Sequence, residues 1–329
     1  MGIKETSSLK HYGSAVLLSL LALTLPSCVT GVPPTKVAEV YYNLGNAYFE
    51  LNNFNSAVNA YLHAIELDQS MVSASYNLAR VYIESKQIDK GMDLLNDLLE
   101  DDPENSVLLG TLGWALFLTD DLSGSLDVYK GILERIEDDD NALYNAAVLS
   151  LKLEHKEEAL SYFSKLYDLK QDPMLLFRIG SLSLELEKIA DAISYLAAYK
   201  EKNPEHFETL LALGRAYAID ELYFESLSAY DAALTIEEGD RNALFEKAEI
   251  LLKYVEDEEN GLASFNSAVE NGFKNKERLQ ELINYPDLIG LDEIVKTIES
   301  KGLLDEEVDG EESESFNEAP GEPLAPLVP

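Results

Sequence analysis

The residues best suited to chemistry are one cysteine, Cys28, and four histidines, His11, His63, His155 and His206. A single cysteine can form neither an internal disulfide nor a multi-cysteine metal site. The histidines are far apart, and no two have the spacing at which metal ligands share a helix face. Because catalysis needs polar groups that converge in a pocket, the sequence predicts a protein that is not an enzyme and holds no metal or cofactor.

Two acidic clusters, at residues 101–102 and 137–140, could bind a cation or begin a helix. An EF-hand calcium loop has its own ligand spacing and a glycine, which these clusters lack. Aspartate accepts hydrogen bonds from the free amides at a helix N-terminus and is favoured there by the helix dipole. We therefore predict that these aspartates are helix caps.

The charge of the chain excludes two classes of partner. The sequence has 61 acidic and 25 basic residues, a formal net charge of -36 at pH 7. Nucleic acid and anionic lipid surfaces would both repel such a protein. The sequence therefore predicts that the chain does not bind nucleic acid.

The N-terminal segment has the order of a secretory signal. Lys4 and Lys10 precede an apolar run at residues 15–25, which ends three residues before Cys28. This run is shorter than the roughly 20 residues that a membrane-spanning helix needs. The pattern favours a cleaved signal over a permanent transmembrane anchor.

Leu25, Ser27 and Cys28 resemble the lipobox of bacterial lipoprotein signals. The resemblance implies that residues 1–27 are a signal peptide and that Cys28 becomes the lipidated N-terminus of an exported protein. It also implies anchorage to the cell-envelope membrane, on the periplasmic side or in the outer membrane. Residues 28–37 would then be a tether that reaches at most about 33 Å. The alternative is an ordinary signal peptide followed by a buried free cysteine.

From residue 38 onward the sequence repeats with a period of about 34 residues. Residues 38–71 closely resemble the tetratricopeptide repeat (TPR) consensus, a helix-turn-helix unit. The residues at the signature positions are Tyr41, Leu44, Gly45, Tyr48, Ala57, Tyr61 and Ala64. The resemblance implies an all-α, right-handed TPR solenoid, in which small residues allow close helix crossings.

About seven such repeats occupy residues 38–272, with starts near 38, 72, 106, 140, 173, 207 and 241. The fourth repeat is one residue shorter than the others. The seventh has a one-residue insertion, which we place within residues 256–260. Residues 273–304 have the apolar spacing of two capping helices separated by a turn at 285–287. Residues 305–329, acidic and containing proline, predict a disordered tail.

In TPR proteins the first helix of each repeat lines a concave face, and the resemblance implies a partner-binding groove there. The resemblance places positions 2, 5, 9, 12 and 13 of each repeat on this face, and we assign to the groove ten residues at positions 5, 9 and 12. They are Tyr42, Phe49, Tyr76, Arg80, Trp114, Phe117, Tyr144, Phe177, Arg215 and Phe245. Such a stripe could receive an apolar or amphipathic segment, and Arg80 and Arg215 could pair with its carboxylates.

These features predict a non-catalytic, membrane-anchored TPR lipoprotein that scaffolds protein partners in the bacterial cell envelope during assembly or transport. The groove would bind the protein partner, and the N-terminal lipid would bind the membrane. The alternative is an accessory protein of a solute transporter, with a small apolar ligand in the solenoid lumen beside Trp114 and Phe117.

Overall fold

The computed structural model describes residues 32–304, so Cys28, the signal peptide and the acidic tail lie outside the described residues. The described part contains α-helices and one π-helical turn, without a β-strand. This confirms the prediction of an all-α fold. No helix within residues 32–304 combines the length and the apolar composition of a membrane span.

The described chain forms two compact units, residues 32–87 and 88–304. The first unit contains α1 (Pro34–Glu50), α2 (Phe54–Leu67) and α3 (Val72–Glu84). Helix α1 begins four residues before the first repeat, because Pro34 suits the first turn of a helix. The predicted tether therefore overlaps α1 at residues 34–37, and its boundary was wrong.

The second unit begins with α4 and contains five antiparallel helix pairs followed by two short helices in the predicted capping segment. Its elements are α4 (Ile88–Asp101), α5 (Ser106–Leu118), α6 (Leu122–Leu133), α7 (Asp140–Lys152), α8 (Lys156–Lys170), α9 (Pro173–Glu185), α10 (Ile189–Lys202), α11 (Phe207–Ile219), α12 (Tyr223–Ile236), α13 (Arg241–Ile250), a π-helical turn (Leu251–Val255), α14 (Glu258–Glu270), α15 (Lys276–Ile283) and α16 (Leu291–Lys301).

Helices within a pair approach closely where the repeat has a small residue. A Cβ atom added to Gly214 on α11 would lie 2.6 Å from the ring of Tyr230 on α12. On the same pair, the hydroxyl of Ser226 donates to the carbonyl oxygen of Gly214 at 2.8 Å. The second helix thus binds the first through its smallest residues, in agreement with the crossing predicted from the sequence.

The turn within each pair has the same backbone conformation. Position 15 has a positive φ in each of the first six repeats, although none of these residues is glycine. They are Asn52, Lys86, Asp120, Glu154, Glu187 and Glu221. In the seventh repeat the equivalent residue is Glu256, at position 16, with φ 59°. This left-handed residue ends the first helix and turns the chain into the second.

The one-residue insertion of the seventh repeat lies before Glu256, and our placement within residues 256–260 was wrong. The extra residue is absorbed by the π-helical turn Leu251–Val255, where the backbone accommodates one more residue per turn. The one-residue deletion of the fourth repeat shortens a different segment. Only Gln171 and Asp172 separate α8 from α9, where Gln171 has φ 52° and Asp172 caps α9.

The predicted acidic caps are confirmed for one cluster and wrong for the other. Oδ1 of Asp139 accepts a hydrogen bond from the amide of Ala142 at 2.8 Å, so Asp139 caps α7. At the other junction Asn105 caps α5, and its side-chain amide donates to Asp102 at 2.9 Å. Asp102 therefore orients the cap rather than serving as one.

Candidate functional site

A cavity of about 670 Å³ lies in the second unit, and we call it the C-terminal cavity. About half of its lining comes from positions 9, 12 and 13 of repeats five to seven, which the TPR resemblance assigns to the concave face. These residues are Ser181, Leu184, Glu185, Arg215, Ala218, Ile219, Glu249 and Lys253. The volume lies within the range typical of ligand pockets.

The floor of the C-terminal cavity is built around Glu246, which is only 4% exposed. Its carboxylate accepts two hydrogen bonds from Arg215: Nε lies 3.0 Å from Oε2 and Nη2 lies 3.0 Å from Oε1. Nη1 of Arg278, on the capping helix α15, lies 3.4 Å from Oε1. A buried carboxylate needs charged or hydrogen-bonding partners, and the two arginines are the partners of Glu246.

A second carboxylate, Glu249, continues the network one turn further along α13. It pairs with Lys253 of the π-helical turn, at 2.5 Å, and with Arg278. The guanidinium of Arg278 also lies 4.7 Å from the ring centroid of Phe245. The capping helix is therefore joined to the seventh repeat by two carboxylates and an aromatic ring.

The electrostatics of the floor follow from burial and from these pairs. Burial opposes the positive charge of Arg215, but the attraction of Glu246 outweighs it, and the pKa of Arg215 is raised. Burial, followed by the nearby carboxylate of Glu246, raises the pKa of Tyr230 well above its usual value. Arg215 is therefore charged and Tyr230 neutral at any physiological pH.

The outer part of the C-terminal cavity is aromatic and acidic. The rings of Tyr223 and Tyr254 are stacked, with centroids 4.5 Å apart and planes 3° apart, and Tyr285 contacts Tyr254 edge-on at 5.9 Å. Glu187 and Glu221, the left-handed turn residues of repeats five and six, also line the cavity and are exposed. Aromatic faces beside carboxylates favour a cationic group.

Four of the predicted groove residues lie in the first unit: Tyr42, Phe49, Tyr76 and Arg80. The guanidinium of Arg80 lies 5.3 Å from the ring centroid of Phe49 and 5.8 Å from that of Tyr76. All four side chains are half-buried, so each keeps part of its surface in solvent.

Three further groove residues, Trp114, Phe117 and Tyr144, lie in the second unit. All three are half-buried and pack against the hydrophobic core of that unit. The ammonium group of Lys152 lies 5.7 Å from the ring centroid of Phe117, and Tyr144 contacts Phe163 edge-on at 6.4 Å. Part of the surface of each ring is therefore covered by the hydrophobic core, and only the rest could contact a partner.

Two of the predicted groove residues cannot contact a partner, because Phe177 and Phe245 are buried. The ring of Phe177 lies 4.9 Å from that of His206, and the ring of Phe245 stacks on Phe273 at 3.9 Å. A tyrosine at position 5 keeps its hydroxyl near water, whereas phenylalanine has no polar atom that favours exposure. The prediction that these two line the groove was wrong.

The groove residues predicted from the repeat pattern did not include Glu246, Glu249, Lys253 and Arg278, which line the site. One signal was present: Arg215 and Glu246 have opposite charges and are 31 residues apart. Asn46 and Asn77 occupy the same two positions in the first two repeats and form a hydrogen bond of 2.9 Å. Arg215 therefore pairs with a carboxylate of its own chain, whereas the sequence predicted a pair with a carboxylate of the partner.

The helix pairs and the concave site together define a helical repeat protein, and comparison with known families gives the kind of repeat. A family model described as "TPR repeat" matches residues 45–86. Models described as "Tetratricopeptide repeat" match residues 73–105, 140–173 and 177–243. The chain is therefore built of tetratricopeptide repeats, which confirms the resemblance found in the sequence. Such repeats are typically non-catalytic and generally mediate protein–protein interactions.

Two known proteins illustrate what the chain is similar to. An uncharacterized lipoprotein of Treponema pallidum is 26% identical over 105 residues, which cover 32% of this chain and 54% of the relative. The chain thus spans about half the length of that curated relative. The crystal structure of YrrB, a TPR protein with an unusual peptide-binding site, has 21% identity and a TM-score of 0.50, covering 57% of this chain and 96% of YrrB.

A second solved structure covers more of the chain. It is the C-terminal part of a TPR repeat-containing protein from Cytophaga hutchinsonii, with 16% identity and a TM-score of 0.56, covering 73% of this chain and 99% of that one. At these identities the two structures show that the fold is shared.

Proposed function

We propose that the chain is a lipid-anchored scaffold of the bacterial cell envelope that holds a segment of a partner protein in the C-terminal cavity. The observation that carries the proposal is this cavity, whose floor is fixed by the Arg215–Glu246–Arg278 pairs across two repeats and a capping helix. A preformed site of this kind loses little conformational entropy when a partner binds.

The anchoring part of the proposal rests on Leu25, Ser27 and Cys28 and on the similarity to the Treponema pallidum lipoprotein. Lipid attached to Cys28 would hold the protein on the membrane, and more than one acyl chain would make the anchorage stable. Metabolic labelling with palmitate tests this directly. We expect label on the wild type and none on Cys28→Ala, whereas equal labelling of both would contradict lipidation at this residue.

The chemistry of the C-terminal cavity also favours one kind of partner segment. Tyr223 and Tyr254 offer aromatic surface, and Glu187 and Glu221 offer carboxylates beside it. The floor arginines are already paired with Glu246, so an added anion would compete with that carboxylate. We therefore propose an amphipathic segment that places a lysine or arginine side chain between the tyrosines and the exposed carboxylates.

Site-specific photo-crosslinking in intact cells tests the cavity as the partner site. A photoreactive amino acid at Tyr254 should give one discrete adduct, and Tyr223→Ala together with Glu221→Gln should abolish it. The same amino acid at Phe224, which is 76% exposed but outside the cavity lining, is the matched control and should give none. Adducts of equal yield at both positions would contradict a specific site.

The solute-transport alternative receives no support from the C-terminal cavity. Trp114 and Phe117 are not among its lining residues, and charged side chains occupy much of its wall. The chain has one tryptophan, so its fluorescence reports on that region alone. A saturable emission shift with fatty-acid-like ligands would favour the alternative, and we expect none.

A further inference from the structure

From the second repeat onward, the first helix of a repeat has two positions that the preceding repeat covers. In repeats two to six, the residues at positions 3 and 10 are at most 5% exposed. They are Ala74, Val81, Leu108, Ala115, Ala142, Leu149, Leu175, Leu182, Thr209 and Ala216. Each of these helices packs against the second helix of the repeat before it. These positions therefore belong to an interface between repeats.

In the first repeat the same positions are exposed. Val40, at position 3, is 64% exposed, and Ala47, at position 10, is also exposed. Leu44, between them, is 40% exposed, and Leu51 is 76% exposed. The four residues follow one another at helical spacing and form a continuous line along α1 and its C-cap residue Leu51, which we call the α1 stripe. Terminal repeats are soluble when this face is polar, but here it is apolar.

The charged residues beside the α1 stripe would match those of a second copy of α1 packed antiparallel to it. Helix α1 contains three charged residues: Lys36 in its first turn, Glu39, and Glu50 at its last position. With 3.6 residues per turn, Lys36 and Glu50 lie on the same flank of the stripe. If two copies of α1 packed antiparallel, with their centres between residues 43 and 44, Lys36 of each copy would lie near Glu50 of the other.

The same register places apolar residues opposite one another. Val40 of one copy then faces Ala47 of the other, and Leu44 lies at the centre of the pair. The antiparallel arrangement also opposes the two helix dipoles. The chain as a whole has 36 more acidic than basic residues, so most of its surface repels a second copy. The α1 stripe is apolar and therefore carries little of this repulsion.

From these observations we propose that the α1 stripe is the interface of an antiparallel homodimer, related by a two-fold axis, in which α1 of each copy covers the stripe of the other. The proposal is independent of lipidation and of the C-terminal cavity. Binding of a bilayer, a different protein or residues 1–31 of the same chain would not depend on opposite charges at Lys36 and Glu50.

Crosslinking of the full chain tests the register. In a Cys28→Ala background, Val40→Cys copies carrying one tag are mixed with Ala47→Cys copies carrying another, and oxidised. We expect a disulfide-linked heterodimer in high yield and little linkage between two Val40→Cys copies, whose positions lie about 10 Å apart along the helices. Equal yields of the two products, or no crosslink, would overturn the proposed register.

Sedimentation velocity on the full chain tests the interface. Val40→Ser with Leu44→Ser should weaken dimerisation at least about tenfold, because both side chains lose their apolar contacts. Val107→Ser, at a side chain that is 59% exposed on α5, is the control and should leave it unchanged. Far-UV circular dichroism verifies that each variant is folded. A chain that remains monomeric up to about 100 μM, above typical weak-dimer affinities, would overturn the proposal.

Charge reversal separates a second copy from every other occupant. Lys36→Glu and Glu50→Lys should each weaken the dimer about 3- to 10-fold, since each reversal replaces two symmetric attractions by repulsions. The double variant should restore the wild-type dissociation constant. Association that survives the Val40/Leu44 variant, or that the double reversal does not restore, would show that something other than a second α1 covers this face.

Discussion

At the scale of single residues, Glu246 is a buried carboxylate whose stability depends on its two arginine partners. Its carboxylate is almost completely buried, and Arg215 and Arg278 approach it from different helices. Breaking such a pair costs more than the pair contributes, because the remaining charge stays buried without a partner. The same interaction therefore shapes the cavity and makes the seventh repeat depend on the capping helix.

We expect Glu246→Ala to lower the free energy of unfolding by about 3–5 kcal/mol, since it leaves two arginines without their shared carboxylate. Urea denaturation followed by circular dichroism measures this loss. Glu246→Leu combined with Arg215→Met is the matched control, because it removes both charges and should recover most of the stability. A loss below about 1 kcal/mol for Glu246→Ala would mean that water, rather than the arginines, stabilises the carboxylate.

Tyr61 gives a second prediction, on alkaline stability. Burial raises the pKa of Tyr61 from 10.0 to about 12. Because the folded pKa lies above the unfolded one, Tyr61 contributes stability that is fully present below pH 10 and is lost as the pH rises from 10 to 12. We expect Tyr61→Phe to reduce this decline, as measured by unfolding at several pH values. An unchanged decline would contradict a raised pKa.

The stability difference at neutral pH is the control for this comparison. Tyr61→Phe also removes the 2.6 Å hydrogen bond from the Tyr61 hydroxyl to Oδ1 of Asn46, and that loss does not depend on ionisation. This loss should cost about 1 kcal/mol at every pH, including neutral pH. The ionisation effect is the additional, pH-dependent part. Absorbance at alkaline pH should likewise show that Tyr61 remains neutral near pH 11 while the protein is folded.

At the scale of helices, the crossing within each repeat is governed by small residues, and Gly214 provides the test. We expect Gly214→Ala to destabilise the protein by about 1–3 kcal/mol, because the new methyl group would overlap the ring of Tyr230. Thermal or urea unfolding measures the change. Gly131→Ala on α6 is the matched control: its new Cβ would meet only Arg135, at 3.9 Å, and should stabilise the helix by about 0.5–1 kcal/mol.

The sequence was sufficient to predict the helix pairs, because the small and bulky residues at the crossings recur with the period of the repeat. It did not locate the insertion, since Ala248 and Gly261 show only that one residue is added between them. The π-helical turn that contains it has no sequence signature of its own. The burial of Phe245 depends on Phe273, which belongs to the capping segment and follows no repeat pattern.

Only part of the candidate site could be predicted from the sequence: of the ten residues assigned to the groove, Arg215 alone lines the C-terminal cavity. The concave positions 9, 12 and 13 do line the C-terminal cavity, including Arg215. The floor, however, depends on Arg278 from α15, which reaches Glu246 across 32 residues of sequence. A repeat consensus cannot predict such a contact, because the capping helix is not part of the repeat.

At the scale of the whole molecule, the excess of acidic residues sets the response to salt. With 61 acidic and 25 basic residues, 36 carboxylates have no basic counterpart in the chain, so net repulsion opposes the folded state. Raising the ionic strength from about 0.01 M to about 0.15 M shortens the screening length from roughly 30 Å to 8 Å. We expect the melting temperature to rise by about 2–4 °C in NaCl over this range.

The control for the salt effect is a change of pH. Near pH 5 some carboxylates are protonated, so the same increase in NaCl should have a smaller effect on the melting temperature. An equal rise at both pH values would indicate a general effect of salt on apolar burial. A fall would show that attractive pairs such as Lys130–Glu158 outweigh the repulsion.

The π-helical turn of the seventh repeat bears on how such an array can change through mutation of its gene. One added codon in a helix would ordinarily rotate every later side chain by about 100° and carry core residues into water. Here the rotation is confined to the π-helical turn. Glu256 after it has the left-handed conformation of the other turn residues, and Gly261 and Phe265 are buried like their equivalents in other repeats. Lys253 and Tyr254, which the turn contains, line the cavity. A three-nucleotide insertion can thus change the side chains with which one repeat lines the cavity, while the core of the neighbouring repeats stays the same.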